Sequence, residues 1–307
     1  MNFQQLRIIR EAVRHNFNLT DVAAVLYTSQ SGVSKHIKDL EDELGVELFV
    51  RRGKRLVGLT DPGRELIDVV ERILLDAANV RLLAQQFSKS SRGQLTVATT
   101  HTQARYALPA AVAEFKRMFP DVRLVLHQGN PSELAAMLLD GVADIAVATE
   151  SLLDNPDIIA FPYYSWHHGL VVPRDHPLAD VQPLSLEAIA GWPIITYHEG
   201  FTGRGHIDER FASAGLIPDI VMAALDADVI KTYVELGMGV GIMAAMAFSP
   251  ERDTALRLLD CSTLFDKQTT LIAVRRGRYL RGFAYRFIEL CAPDLTEKTV
   301  RNSAAAN

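Results

Sequence analysis

Residues 29–45 run Ser29-Gln30-Ser31-Gly32-Val33-Ser34-Lys35-His36-Ile37-Lys38-Asp39-Leu40-Glu41-Asp42-Glu43-Leu44-Gly45, a helix with both ends marked. Ser29 is a favourable N-cap, and Gly45 fits the position just past a helix end. Val33, Ile37, Leu40 and Leu44 fall on one apolar face, which turns Gln30, Ser31, Ser34, Lys35 and Lys38 outward. Upstream, Phe3, Leu6, Ile9 and Val13 recur at helical spacing. A break follows at Asn16-Phe17-Asn18, and Val22, Ala23 and Leu26 make a second, shorter stripe. Two helices joined by a tight turn, the second capped and polar on its outer face, form a helix-turn-helix pattern. Its outer residues suit base edges: Gln pairs with adenine, Lys with guanine or phosphate, and Ser with either. Arg51, Arg52, Lys54 and Arg55 follow around Gly53 as a hairpin wing for phosphates or the minor groove. A single polar face is usually just solvated. Cap, turn, stripe and wing agree here, so Thr28, Ser29, Gln30, Ser31, Ser34, Lys35, Lys38, Arg51, Arg52 and Lys54 are the candidate DNA contacts.

Downstream, Leu66, Val69, Val70, Ile73, Leu74, Ala77, Val80, Leu83, Ala84 and Phe87 continue one stripe without Gly or Pro. At 1.5 Å per residue the segment from Gly63 to Ser88 spans roughly 35–40 Å. Such a stripe must be buried, either on its own chain or on a second copy. The second copy is the preferred reading, because the segments on either side look complete without it.

From Gly93 the pattern alternates. Strands are expected at Leu95 to Ala98, Val122 to His127, Asp144 to Ala148, Gly169 to Val172, Ile194 to Tyr197 and Val240 to Met243. Helices are expected at Leu108 to Phe119, Glu133 to Leu139, Ile207 to Ala214 and Val229 to Leu236, with a strand-helix pair near Thr270 to Cys291. Buried β runs separated by helices imply mainly parallel sheets, here two α/β lobes with a cleft between them. The expected organisation is a winged helix-turn-helix, all-α with a small wing, over 1–60. A linker helix occupies 61–90, a two-lobed α/β effector domain 91–295, and a tail 296–307, with Arg301 to Asn307 disordered.

Composition narrows the function. A chain of 307 residues suggests two or three domains. Its net charge of −5 argues against a generic polyanion binder. Residues 1–65 nevertheless hold ten Lys/Arg against nine Asp/Glu, so any nucleic-acid surface is local to the N-terminus. Cys261 and Cys291 are scattered thiols of a reducing compartment. The N-terminal residues lack the basic-then-apolar run of a signal peptide, and no apolar run spans a bilayer, so a cytoplasmic protein without membrane contact is expected. No G-x-S-x-G, H-E-x-x-H or phosphate-loop motif occurs, and no enzyme is expected. Gly237-Met238-Gly239-Val240-Gly241 precedes a strand and reads as a tight turn, not a dinucleotide loop. His167, His168 and His176 lack metal-ligand spacing and read as surface or satisfied histidines. Asp226 and Asp228 fit the cap region of the helix carrying Lys231.

In the segment Thr100 to Ala104 a strand ends and a helix begins, gathering backbone N–H groups, the hydroxyls of Thr100 and Thr102 and the Gln103 amide. Thr149 follows another strand, and Thr202 opens a further helix. Each Thr alone is more often a cap than a ligand. Three such turns at the carboxyl ends of strands favour a small oxyanion. Trp166 could wall the pocket, though a buried Trp is more often core.

Ala23-Ala24, Ser29 to Lys35, Leu40-Glu41, Leu44-Gly45, Leu48-Phe49, Arg51-Arg52 and Thr60-x-x-Gly63 resemble the signature of the LysR-type transcriptional regulators, over essentially the whole chain. Ser31 departs from that pattern, which commonly has proline there, but the first helical position tolerates either. The effector region resembles the CysB/Cbl branch at Ala98-Thr99-Thr100-His101-Thr102-Gln103-Ala104-Arg105-Tyr106, His127-Gln128-Gly129, Ala148-Thr149-Glu150, Phe201-Thr202-Gly203-Arg204 and Asp228-Val229-Ile230-Lys231-Thr232-Tyr233. Asn2 to Ile9 and Val50 to Arg55 look closer to the Cbl type. The resemblance implies a periplasmic-binding-protein-like effector domain and an activator of sulfur-assimilation or alternative sulfur-source genes. It implies a homodimer or homotetramer on double-stranded promoter DNA, acting with RNA polymerase. The implied effector is sulfate, adenylyl sulfate or acetylserine, near Thr100, Thr102, Gln103, Thr149, Glu150, Trp166 and Thr202, with no other cofactor and no metal. The rival readings are a solute-binding module with an accessory N-terminal domain and a two-lobed enzyme.

Overall fold

The computed structural model describes residues 1–87, 93–149, 152, 153, 155–201 and 203–305, in two compact units, 1–88 and 89–307. In the first unit, α1 (Phe3–Arg14), α2 (Leu19–Val25) and α3 (Gln30–Leu44) precede a hairpin, β1 (Phe49–Arg52) and β2 (Arg55–Leu59), and then α4 (Asp61–Phe87). The caps predicted at Ser29 and Gly45 are present, and Asn18, read only as part of a break, caps α2. Asn18 accepts from the Thr20 N–H, Ser29 Oγ accepts from the Gly32 N–H at 3.1 Å, and Gly45 ends α3 in the left-handed region. Because α3 starts at Gln30, Ser31 occupies its second position, with its hydroxyl 3.2 Å from that of Ser29. Ile8, Ile9, Val22, Val33, Ile37, Leu40, Leu48 and Phe49 form the core, each burial contributing about 1.5–3 kcal/mol. Leu44, expected inside, is exposed because it lies in the last turn, beyond the reach of that core.

The α4 stripe divides. Val70 and Leu74 are buried against Leu6 of α1, so this part packs on its own chain and not on a second copy as expected. Val69, Val80 and Leu83 are exposed. Gly63 in the first turn of α4 is required by space: a Cβ there would lie 2.1 Å from the Leu48 carbonyl oxygen.

The second unit holds two sheets. The first has the order β4 (Val122–Gln128), β3 (Gly93–Thr99), β5 (Ile145–Ala148), β12 (Gln268–Arg275), β6 (Ile158–Trp166). The second runs β11 (Leu256–Asp260), β7 (His168–Pro173), β10 (Val240–Ala244), β8 (Ile194–Tyr197), β9 (Ile220–Ala224). One strand runs against the rest in each, β12 in the first and β7 in the second, so both sheets are mainly parallel. The chain crosses between lobes twice, at His167 between β6 and β7, and between β11 and β12. Helices α5 (Pro109–Met118), α6 (Pro131–Leu139), α7 (Leu186–Ala190), α8 (Arg204–Ser213), α9 (Ala227–Glu235) and α10 (Gly282–Cys291) complete the lobes. Gly237 begins the turn from α9 into β10, the role expected of the glycine-rich run. The tail corrects another expectation: α11 (Glu297–Ala305) is helical, with Val300 buried in the first lobe's core and the Arg301 guanidinium over the Tyr285 ring. Among the described residues no helix is long and apolar enough to cross a membrane.

Candidate DNA-recognition surface and effector site

Helix α3 presents Gln30, Ser31, Lys35 and Lys38 to solvent, while Thr28 and Ser34 are half-buried. Lys35, Lys38, Arg52 and Lys54 join no ion pair among the described residues, so their charge is available to a polyanion. A groove of about 550 Å³ brings Ser34 and Lys38 of α3 together with Arg51 of the wing. Arg51 is also held from within: its guanidinium donates to Glu41 at 2.7 Å. Glu41 is buried and accepts the Leu48 and Phe49 N–H groups at 2.8 and 3.2 Å, locking helix to wing. Sequence reasoning placed Arg51 on phosphates or the minor groove and gave Glu41 no role in holding it.

On the effector side, Thr100, Thr102 and Gln103 are buried where β3 ends. The segment from Gln103 to Ala107 is a π-helical turn separate from α5, not the start of a regular helix. So short a turn has little dipole to offer an anion. Gln103 Nε2 donates to Thr270 Oγ1 at 3.3 Å, and the Tyr164 hydroxyl donates to Gln103 Oε1. The Trp166 indole N–H reaches the same Thr270 oxygen at 3.1 Å, and Thr149 Oγ1 lies 3.4 Å from it. Thr102 lies beside the hydroxyl of Tyr197 in the second lobe, which accepts the Ala244 N–H at 3.1 Å. Burial drives Tyr197 and Tyr164 above the usual phenol range, so both stay protonated donors. The structure thus brings Gln103, Thr149 and Trp166 together and sets Thr102 beside the second lobe. Glu150 and Thr202 lie outside the described residues.

His168 is buried between Trp166 and Phe265, with ring centroids 5.0 and 5.7 Å away. A Cβ on neighbouring Gly203 would stand 2.6 Å from that imidazole, so only glycine fits. His176 caps the Leu178 N–H and meets the Trp192 ring edge-on, with centroids 4.3 Å apart. Burial pushes both Cys261 and Cys291 up to about 12, which leaves them inert thiols.

Asp226 caps α9 by accepting the Val229 N–H at 2.9 Å, as expected. Asp228 does more than cap. It accepts the Tyr106 hydroxyl at 2.8 Å and pairs with Arg105 Nε at 2.7 Å, His101 Nε2 at 3.4 Å and Lys231 Nζ at 3.4 Å. Residues 100, 102 and 103 of this segment are therefore buried, while 101, 105 and 106 grip the second lobe. Burial pushes Asp228 up, but the Tyr106 hydroxyl, Lys231, His101 and Arg105 outweigh it and hold the carboxyl below its usual range.

Family comparison agrees with this geometry. Residues 3–64 match the bacterial regulatory helix-turn-helix protein, lysR family, and residues 88–296 match the LysR substrate binding domain. The chain is a LysR-type transcriptional regulator. It is 59% identical over 300 residues to the HTH-type transcriptional regulator SsuR of Burkholderia cenocepacia, covering 98% of this chain and 97% of that one. It is 51% identical over 303 residues to CysB of the same organism, covering 99% and 97%. The crystal structure of the cofactor-binding domain of the Cbl transcriptional regulator superposes with a TM-score of 0.68 at 46% identity, over 72% of this chain and 97% of that domain. These likenesses place the LysR-type chain in the CysB/Cbl-like branch.

Thr270 is the residue that reading this LysR-type sequence missed. Its partners stand 167, 121 and 104 positions away, so no local motif announces it.

Proposed function

We propose that this regulator binds double-stranded promoter DNA as a homodimer or homotetramer and activates sulfur-assimilation or alternative sulfur-source genes with RNA polymerase in the cytoplasm. A sulfur-related effector, sulfate or adenylyl sulfate, or acetylserine, is held between the lobes by Thr100, Thr102, Gln103 and Thr149. Glu150, Trp166 and Thr202 complete that site. The supporting observation is that Gln103, Thr149 and Trp166, from three different strand ends, meet at one buried hydroxyl. Neutral donors converging at strand ends suit an oxyanion. The charged face of α3 with its wing supports the DNA reading, and its likeness to SsuR and CysB supports the sulfur theme.

DNA-shift titration on promoter fragments, with and without sulfate, adenylyl sulfate and O- or N-acetylserine, tests both halves. At least one of these ligands should change the affinity or the shape of the complex. Gln30→Ala and Lys35→Ala should each weaken specific binding by about 1–3 kcal/mol. Arg52→Ala should weaken specific and random DNA alike and flatten the salt dependence. Unchanged DNA affinity in all three variants would refute the recognition surface, and indifference to every ligand would refute the effector site.

A further inference from the structure

Hydrogen-bond bookkeeping around Thr270 carries a conclusion about selectivity. A threonine hydroxyl has one proton and two acceptor lone pairs. Thr270 lies fully buried on β12, and two groups point donors at its oxygen. The Trp166 indole N–H, at 3.1 Å, can only donate. The Gln103 amide, at 3.3 Å, presents its NH₂ there because its carbonyl end accepts the Tyr164 hydroxyl. Both lone pairs of Thr270 are thereby filled. The hydroxyl of Thr149, 3.4 Å away, finds no acceptor in Thr270. Thr270 gives its own proton to Thr149 or to the nearby Tyr164 hydroxyl. In either case the Thr149 proton is left for the effector. Gln103 is oriented in the same sense, with one N–H spent on Thr270 and the other free for a ligand.

We infer that Thr270 and Tyr164 are positioning residues that hold Thr149 and Gln103 as donors, making the effector site selective for a fully ionised oxyanion over one that carries a proton. This rests on the proposed effector site between the lobes. Sulfate presents only acceptors at neutral pH. Inorganic phosphate keeps at least one proton, which Thr149 can accept only by turning its own proton away from the ligand, towards a Thr270 oxygen already filled. An unmade hydrogen bond at a desolvated charged group separates the two ligands by about tenfold or more.

The test is calorimetric titration of the full chain with sulfate and with inorganic phosphate at neutral pH. Wild type, Thr149→Ala, Thr270→Val, Thr270→Ser and Trp166→Phe are compared, and ligand-free melting shows which variants fold. Wild type should prefer sulfate by about tenfold or more. Thr270→Val should lose most of that preference, because the Gln103 amide is no longer held with its NH₂ inward and can turn its carbonyl to the phosphate proton. Thr270→Ser, which restores the hydroxyl, should recover it. Trp166→Phe frees one lone pair of Thr270 for the Thr149 proton and should narrow the preference, which keeps the inference open to refutation if Thr270→Val fails to fold. A general loosening of the fold would weaken both anions together and leave their ratio unchanged. A wild type that ignores sulfate removes the effector site and this inference with it. Sulfate binding that is lost in Thr149→Ala, beside an unaltered sulfate-to-phosphate ratio in Thr270→Val and Trp166→Phe, overturns the inference alone.

Discussion

Glu41 sits at 7% exposure with its carboxylate shared between two backbone N–H groups at the start of the wing and the Arg51 guanidinium. Glu41→Ala leaves two buried donors unpaired, each costing about 1–3 kcal/mol. Chemical denaturation should show the N-terminal unit destabilised by about 2–6 kcal/mol. DNA affinity should fall as well, because the wing loses its anchor to α3; a variant as stable as wild type would show that the N–H groups find other partners. Asp228 makes a prediction about pH. Its folded carboxyl lies below the usual 3.8, so its contribution is present above that value and fades as pH falls through the lower folded value. Lys231 is pushed down by burial, but hydrogen bonds to Asp253 and Tyr106 raise it above the usual 10.5 overall. Its contribution is present below 10.5 and fades as pH rises through the higher folded value. Between 3.8 and 10.5 neither group should make stability vary with pH. Thermal melts should show Asp228→Asn lowering Tm at neutral pH and losing less on acidification than wild type.

At the level of elements, α4 separates what periodicity can show from what it cannot. Its stripe shows that one face is buried, but not whether the partner is α1 or another copy. Val70 and Leu74 pack on Leu6, so Val70→Glu should unfold the N-terminal unit by placing an unpaired carboxylate in its core. The exposed Val80 is the better probe of assembly. Val80→Glu should leave the melting of the N-terminal unit intact and shift sedimentation toward monomer; an unchanged oligomer would remove this part of α4 from the seam. The same reasoning explains the rest of the record. Helix α3, the wing and the strands β3, β4, β5, β8 and β10 were legible because caps, spacing and buried runs are local. Strand β6 was not, since Pro162 and its half-buried Tyr163 and Tyr164 break both simple patterns. Helix α11 looked like a loose end because the apolar cluster that buries Val300 and the Tyr279 and Tyr285 rings that meet Arg301 lie outside its own segment. In the effector site the threonines were legible as turn residues, whereas Thr270 and Tyr164 acquire meaning only through neighbours distant in sequence.

For the whole molecule, regulation imposes a thermodynamic condition. An effector shifts DNA binding only if it favours one conformation over another, and the coupling is reciprocal: DNA must change effector affinity by the same factor. The segment from Thr100 to Tyr106 offers a local basis for such a preference. Its buried residues face the proposed ligand, while His101, Arg105 and Tyr106 clasp Asp228 of the other lobe. A ligand that draws on Thr100, Thr102 and Gln103 also bears on that clasp. Two variants then separate binding from transmission. Thr102→Ala should lower effector affinity by about tenfold or more, through one lost hydrogen bond to a charged group. Its DNA affinity without effector should stay as in wild type, because the recognition surface belongs to the other unit. Asp228→Asn should keep most of its effector affinity but lose part of the effector's influence on DNA. Thermal shift with sulfate and adenylyl sulfate reports the first quantity, and DNA-shift titration at saturating effector reports the second. If Asp228→Asn transmits the signal as fully as wild type, the clasp only stabilises the lobes, and coupling must pass through the two crossover segments instead.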